Sequence, residues 1–144
     1  MLFIRRFACV LCFLMLAFAA CGPGSDELLV SAVEQGDAAT AQSLLDQGAN
    51  ATQNTAQGKS LVMIAAEKGN AEIAESLKAK GDNVNSKDLA GKSALMVAAA
   101  NGNVRIVTLL LDNRADVSVK DFDGLTPLLH ADSGGHAEVD KALI

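Results

Sequence analysis

Residues 91–103, GKSALMVAAANGN, decide the fold of this chain. The stretch opens with Gly-Lys-Ser, which ends a phosphate-binding loop when a further glycine stands five residues before the Gly-Lys pair. That position holds Ser86 here, and a second Gly-Lys-Ser at residues 58–60 has Gln53 in the same place. Neither copy can therefore wrap a phosphate. The two copies are, however, 33 residues apart.

Small and hydroxyl residues recur at this period through the rest of the chain. Two glycine series and one hydroxyl series share it: Gly58, Gly91 and Gly124; Gly36, Gly69, Gly102 and Gly135; Ser60, Ser93 and Thr126. The segment LVMIAAEKGN also overlays ALMVAAANGN in the same frame. Self-similarity at this spacing indicates a stack of supersecondary units, each of which buries its apolar face against its neighbours.

The repeated unit resembles the ankyrin repeat, whose pattern runs from D-x-x-G-x-T-P-L-H-x-A-A-x-x-G-H through an apolar helix to G-A-D-V-N. Residues 88–91 and 121–124 match its turn, and Thr126-Pro127-Leu128 matches its helix start. The resemblance covers residues 26–144. It implies an all-α solenoid of about three and a half helix-turn-helix repeats with β-turn fingers. The expected repeats span residues 26–54, 55–87, 88–120 and 121–144.

Several residue types have expected places in this unit. Ser60, Ser93 and Thr126 should cap the first helix of their repeats, and Pro127 suits a first helical turn. The second glycine series should adopt the left-handed conformation between the two helices. Alanine pairs at 65–66 and 98–99 keep the first helix thin. A buried stripe is expected on the second helix of the third repeat, at Val104, Val107, Leu110 and Leu111.

Two departures from the repeat pattern carry further expectations. Gly48 and Gly81 close the second helix in two repeats, and Arg114 holds that place in the third. If the left-handed backbone is kept there, its Cβ costs on the order of 1 kcal/mol; alternatively, Asn113 takes the left-handed role. In the last repeat, Asp132 and Asp140 replace small or apolar residues, and both are expected to face solvent on a polar capping repeat.

The first twenty residues differ from the rest. Arg5 and Arg6 precede an unbroken apolar run of 14 residues, Phe7 to Ala20. A spanning helix needs about 20 residues, so residues 1–20 are interpreted as a secretory signal peptide. The alternative is a permanent N-terminal anchor helix.

Cys21 follows this segment, after small residues and before Gly22. The arrangement resembles the lipobox of bacterial lipoproteins, although Phe18 stands where leucine is usual. The resemblance implies a lipidated Cys21 and a short tether, residues 21–25, ahead of the domain at 26–144. Plain signal cleavage with a free Cys21 is the alternative. The protein is then expected on the periplasmic side of the bacterial envelope, with Gly22 favouring the outer membrane.

Charge and cysteine content limit the possible partners. The chain has 12 basic and 17 acidic residues; without Arg5 and Arg6 the balance is 10 against 17, a formal charge of −7. Nucleic acid is not expected as a partner, because its binding requires basic residues that neutralise the phosphates. Cys21 is the one cysteine after the signal peptide, so no disulfide within the mature chain is expected.

Catalytic and metal-binding patterns are weak in this sequence. His130, Asp132 and His136 would span a helix end and a turn, without a further ligand at metal spacing. His136 matches the family's structural histidine, whereas His130 lies one place after the helix histidine of the pattern. No nucleophile elbow and no cysteine beside a base are present in the mature chain. The expectation is a non-enzyme without cofactor, metal or small-molecule substrate.

The resemblance implies a protein-binding module that uses the concave surface of turn tips and first helices. Phe122 is the one aromatic residue of the mature chain and stands at a turn tip. Either it anchors a partner, or it packs on the neighbouring finger near Leu89. The expected partner surface joins these two residues to the charged residues of both fingers: Lys87, Asp88, Lys92, Lys120, Asp121 and Asp123.

Two biological roles fit this binding surface. In the first, the protein is an immunity or inhibitor module against an envelope effector. In the second, it is a periplasmic scaffold or accessory factor for a resident envelope or stress-resistance protein. The sequence does not choose between them.

Overall fold

The computed structural model describes residues 24–144, and the expected signal peptide and Cys21 lie outside this range. The described part contains eight α-helices: α1 Gly24–Gln35, α2 Ala38–Asp46, α3 Leu61–Lys68, α4 Ala71–Ala79, α5 Ala94–Ala100, α6 Val104–Asp112, α7 Pro127–Gly134 and α8 Ala137–Leu143. Within it, no helix combines the length and apolar character needed to cross a membrane. The all-α repeat architecture expected from the sequence is confirmed.

The helices form two stacked layers. The inner layer is α1, α3, α5 and α7, and each of these helices contacts the next; α2, α4, α6 and α8 stack in the same way as the outer layer. Helix α1 begins at Gly24, with Ser25 buried. The last two residues of the expected 21–25 tether therefore belong to the fold, because acidic Asp26 and Glu27 in the first turn favour an earlier helix start.

Side-chain caps define where the inner helices begin. The hydroxyl oxygens of Ser60, Ser93 and Thr126 each accept from a backbone N–H three residues on, at 3.4 Å. Pro127 opens α7, where its missing N–H is no loss. The turns between paired helices hold glycines with φ between 71° and 73°, at 36, 69, 102 and 135. Both predictions are confirmed, and the Gly-Lys-Ser sequences are turn and cap residues.

The core lies between the two layers. The alanines at 65–66 and 98–99 are fully buried, which confirms the prediction that small residues keep the inner helices thin.

The expected stripe on α6 is partly wrong. Ile106, Val107 and Leu110 are buried, whereas Val104 is exposed and Leu111 only half-buried. At 100° per residue, the buried positions centre on the side of Ile106 and Leu110. Val104 then lies about a quarter-turn or more from that centre.

A buried carboxylate that sequence reasoning missed lies after α4. Asp82 is 3% exposed, and its Oδ2 accepts from the N–H of Val62 at 3.1 Å in the first turn of α3. Its Oδ1 accepts from the N–H of Asn83 at 2.7 Å. Burial raises the pKa of Asp82 to about 6, against the opposing effect of these hydrogen bonds. The aligned residues in the neighbouring repeats are Ala49 and Ala115, so nothing in the repeat requires a carboxylate here.

The last repeat is less covered than the others. Leu128 is 40% and Leu129 46% exposed, whereas the aligned Leu95 and Met96 of α5 are at most 1% exposed. Asp132 is exposed as expected. The expectation for Asp140 is wrong, since it is half-buried and its buried Oδ1 has no hydrogen-bond partner among the described residues. Its position aligns with residues that face the stack, at 74 and 107.

Arg114 has a φ of 62°, and it is the one non-glycine residue with a positive φ in residues 24–144. The aligned Gly48 and Gly81 have φ of 93° and 97°. Asn113 keeps a φ of −97°, so it does not take over the left-handed position.

We expect Arg114→Gly to stabilise the fold by about 1 kcal/mol, because it removes the Cβ strain of the left-handed backbone. For a fold of this size the melting temperature should rise by about 4 °C. Asn113→Gly is the matched control and should not stabilise. An unchanged midpoint for Arg114→Gly in a denaturant titration would contradict the strain argument.

Candidate functional site

The fingers project between the outer helix of one repeat and the inner helix of the next, and each is held by its own aspartate. Asp88 Oδ1 accepts from the N–H groups of Ala90 and Lys92 at 2.8 and 2.9 Å. Asp121 Oδ1 accepts from those of Asp123 and Leu125 at 3.0 and 2.9 Å. An antiparallel bridge pairs residues 87 and 93 at the base of the finger. The D-x-x-G sequence therefore folds as a self-capped turn.

Asp121 does not lie on a contact surface, contrary to the sequence expectation. Its side chain is fully buried, and its Oδ2 lies 2.9 Å from Nε2 of His130 on α7. The N–H of Leu125 holds the pKa of this carboxyl below its ordinary value against the effect of burial, and His130 adds to the lowering. The pair fastens the third finger, residues 121–124, to its inner helix α7. The Leu129-His130 order of the sequence, shifted by one from the family pattern, was the signal for this role.

Phe122 sits at the tip of the third finger with 81% of its surface exposed. Its N–H donates to the carbonyl of Ala90 at 3.2 Å, which joins the two fingers. One edge of the ring lies over Gly91, where a Cβ would come 2.9 Å from Cδ1 of Phe122. The ring therefore packs on the neighbouring finger, at Gly91 rather than at Leu89, and most of its surface stays exposed. Its role as a partner anchor stays a prediction.

Leu89 repeats this arrangement one finger earlier. It is 74% exposed and lies over Gly58, where a Cβ would meet its Cγ at 3.2 Å. The two apolar tips thus follow each other along the row of fingers, both open to solvent.

The remaining residues of the expected surface fall into two groups. Lys87, Lys120 and Asp123 are exposed. Hydrogen bonds from Ser118 are the main cause of a lowered pKa at Asp116, and the charge of Lys87 makes a smaller contribution in the same direction. Asp88 and Lys92 are half-buried, where the fingers meet the inner helices.

A groove of about 280 Å³ runs along this junction. Finger residues form one wall and inner-helix residues the other, and its lining comprises Lys59, Glu67, Asp88, Ala90, Lys92, Met96, Val97, Ala100, Asn101 and His130. Sequence reasoning predicted a surface of turn tips and first helices, but it named individual residues only on the fingers. Lys59 and Glu67 form an ion pair of 2.6 Å in it. The groove therefore offers charged walls and a partly apolar floor to a partner.

A metal site in this part of the chain would be built from histidine, cysteine and carboxylate side chains. No group of three or more histidine, cysteine, aspartate or glutamate side chains in residues 24–144 could hold a metal ion. His136 has a different role from His130. Its Nε2 lies 3.0 Å from the carbonyl oxygen of Ala100, and this contact joins the start of α8 to the preceding repeat.

Comparison with known proteins agrees with this geometry. Residues 28–121 match the family model of ankyrin repeats, in three copies. No curated protein matches the chain with significant similarity. The match covers well over half of the sequence. Ankyrin-repeat proteins are generally protein-interaction modules without enzymatic activity. The chain belongs to the ankyrin-repeat family and is a protein-binding module.

Proposed function

We propose that the protein is a lipid-anchored binding module of the bacterial envelope, held on the periplasmic side through Cys21, with the outer membrane as its site. The proposal for the anchor rests on the sequence around Cys21, which lies outside the described residues. It binds a partner protein and acts as an immunity or inhibitor protein against an envelope effector.

The main support for the proposed binding surface is the position of Phe122 beside the groove, where its N–H donates to the carbonyl of Ala90 in the groove lining. The ring is held on one edge by Gly91 and bears most of its area outward. Aromatic side chains are enriched in the cores of protein interfaces, where a few residues contribute most of the binding energy. Lys87, Lys120 and Asp123 are also exposed, and the last two lie within two residues of Phe122 along the chain.

The partner is identified by photo-crosslinking from position 122. A benzophenone amino acid replaces Phe122 in the full chain expressed in its own envelope, and crosslinked proteins are identified by mass spectrometry. Val104 is the matched control position, since it is 38% exposed at the start of α6, beyond the turn at the other end of α5. A protein crosslinked from 122 and not from 104 supports the proposal. Equal crosslinking from both positions, or none from 122, overturns the binding surface.

The role is decided by growth experiments with the gene deleted. An immunity or inhibitor protein protects cells from one cognate effector and is dispensable when that effector is missing. Loss of fitness without any competitor would instead indicate a scaffold or accessory factor for a resident envelope protein.

Phe122→Ala is expected to weaken binding of the crosslinked partner by about thirtyfold, which corresponds to about 2 kcal/mol. The melting temperature should change little, because the ring is mostly exposed in the free protein. Titration of the purified partner by calorimetry measures the affinity. An unchanged affinity, or an unfolded variant, would make Phe122 a packing residue.

A further inference from the structure

The second and third repeats differ at one ion pair in the groove. In the second repeat, Lys59 pairs with Glu67 at 2.6 Å. The positions 33 residues later are Lys92 and Ala100, so the cation is repeated and its carboxylate is not. Both lysines line the same groove. Within residues 24–144, Lys92 forms no ion pair, although it is half-buried.

The other charged groups in the groove do not replace the missing carboxylate. Asp88 lines the wall, but no ion pair joins it to Lys92 in the described residues, and its Oδ1 accepts from two backbone N–H groups of its own finger. Glu67 is engaged by Lys59. His130 is paired with Asp121 through Nε2. Lys92 therefore lines a groove of about 280 Å³ without an acidic partner, whereas the aligned Lys59 in the same groove is paired with Glu67.

We propose that the groove accepts a carboxylate side chain of the partner protein, an aspartate or glutamate, which pairs with Lys92 in the place that Glu67 fills one repeat earlier. The inference rests on the proposed protein-binding function and specifies the chemistry of one contact in it. In this arrangement Phe122 contacts an apolar residue of the partner, and Lys92 pairs with a nearby acidic residue of the partner.

The acidic balance of the chain shapes how this contact works. Long-range attraction does not bring an acidic segment to a chain with an excess of acidic residues, and salt screens such forces beyond about 10 Å. The pair instead acts at short range, in a half-buried groove where a charge-assisted hydrogen bond is stronger than at a fully exposed site. It therefore contributes specificity more than association rate.

The test uses the full chain and a defined probe, acetylated tetraglutamate amide, followed by backbone amide shifts of Lys92, Val97 and Ala100. The wild-type protein should show saturable shifts at these positions, whereas tetraglutamine amide should not cause them. Ala100→Glu supplies the missing carboxylate from the chain itself, as Glu67 does. This variant and Lys92→Gln should each weaken tetraglutamate binding by about tenfold or more.

Matched controls separate local pairing from net charge. Ser133→Glu adds the same charge at the next aligned position, where Leu125 stands in the place of the lysine, and Lys68→Gln removes an exposed lysine outside the groove lining. Both should bind the probe as the wild type does.

The proposal is overturned if wild-type shifts are absent, if Ala100→Glu binds like the wild type, or if Ser133→Glu weakens binding as much as Ala100→Glu. Failure of this inference is distinguishable from failure of the proposed function. A partner whose binding depends on Phe122 but tolerates Ala100→Glu would leave the protein-binding module intact and reject carboxylate recognition.

Discussion

Cys21→Ala should move the protein from the membrane fraction to the soluble periplasm. Each buried CH₂ of an acyl chain contributes roughly 0.8 kcal/mol to membrane attachment, and two or more chains make attachment stable. The expected lipobox places all of these acyl chains on Cys21. Removal of one sulfur atom should therefore change localisation almost completely, which immunoblotting of fractionated cells measures directly.

Cys12→Ala is the matched control for this experiment. It replaces a cysteine within the apolar run of the expected signal peptide and leaves Cys21 in place, so it should keep the protein in the membrane fraction. If Cys21→Ala stays membrane-bound after a high-salt wash, the lipobox interpretation is wrong and residues 7–20 act as a permanent anchor.

Asp82→Ala should change the pH dependence of stability by between about 2 and 3 kcal/mol, allowing for screening by water. The folded-state pKa is about 6, raised from an ordinary value of 3.8 by burial. Well below pH 3.8 the carboxyl is protonated in both the folded and the unfolded chain, and its burial carries no ionisation penalty. As the pH rises from 4 to 6, the unfolded chain loses this proton first, so the wild-type protein loses stability.

The alanine variant lacks this loss, since the aligned positions 49 and 115 already hold buried alanine. Urea titrations at pH 4 and pH 7 measure the free energy of unfolding of both proteins. Relative to the wild type, the value for Asp82→Ala should be higher at pH 7 than at pH 4 by the amount given above. Arg114→Gly is the control, because arginine stays charged throughout this range and its effect should be equal at both pH values. A difference that does not grow with pH would mean that Asp82 is solvated.

The repeat architecture was predictable because it depends on local signals that recur. Each left-handed glycine and each hydroxyl cap appears several times at one period, so an error at one copy is corrected by the others. Helix α6 shows the limit of this reasoning. Its apolar residues occupy more than one face, and only the packed neighbours decide that Ile106 is covered and Val104 is not.

The candidate site was less predictable, because it depends on contacts between repeats. The exposed tip at Phe122 followed from its place in the turn, but its seat on Gly91 requires the spacing of two fingers. The burial of Asp121 depends on a histidine nine residues later, on another element. The sequence alignment places Ala100 opposite Glu67, but the groove and the Lys59–Glu67 ion pair that give this difference its meaning are visible only in the structure.

The uncovered leucines of α7, Leu128 and Leu129, have a consequence for local unfolding. Buried apolar area supplies much of the free energy that keeps a repeat closed, so α7 and α8 should open at a lower free energy than α3 and α5. Amide hydrogen exchange is then fastest in the repeat whose finger carries Phe122. A bound partner adds its contact energy to that repeat first and slows exchange there most. Recognition and the closing of the fourth repeat become one equilibrium, in which part of the interface energy is used to order the surface that binds.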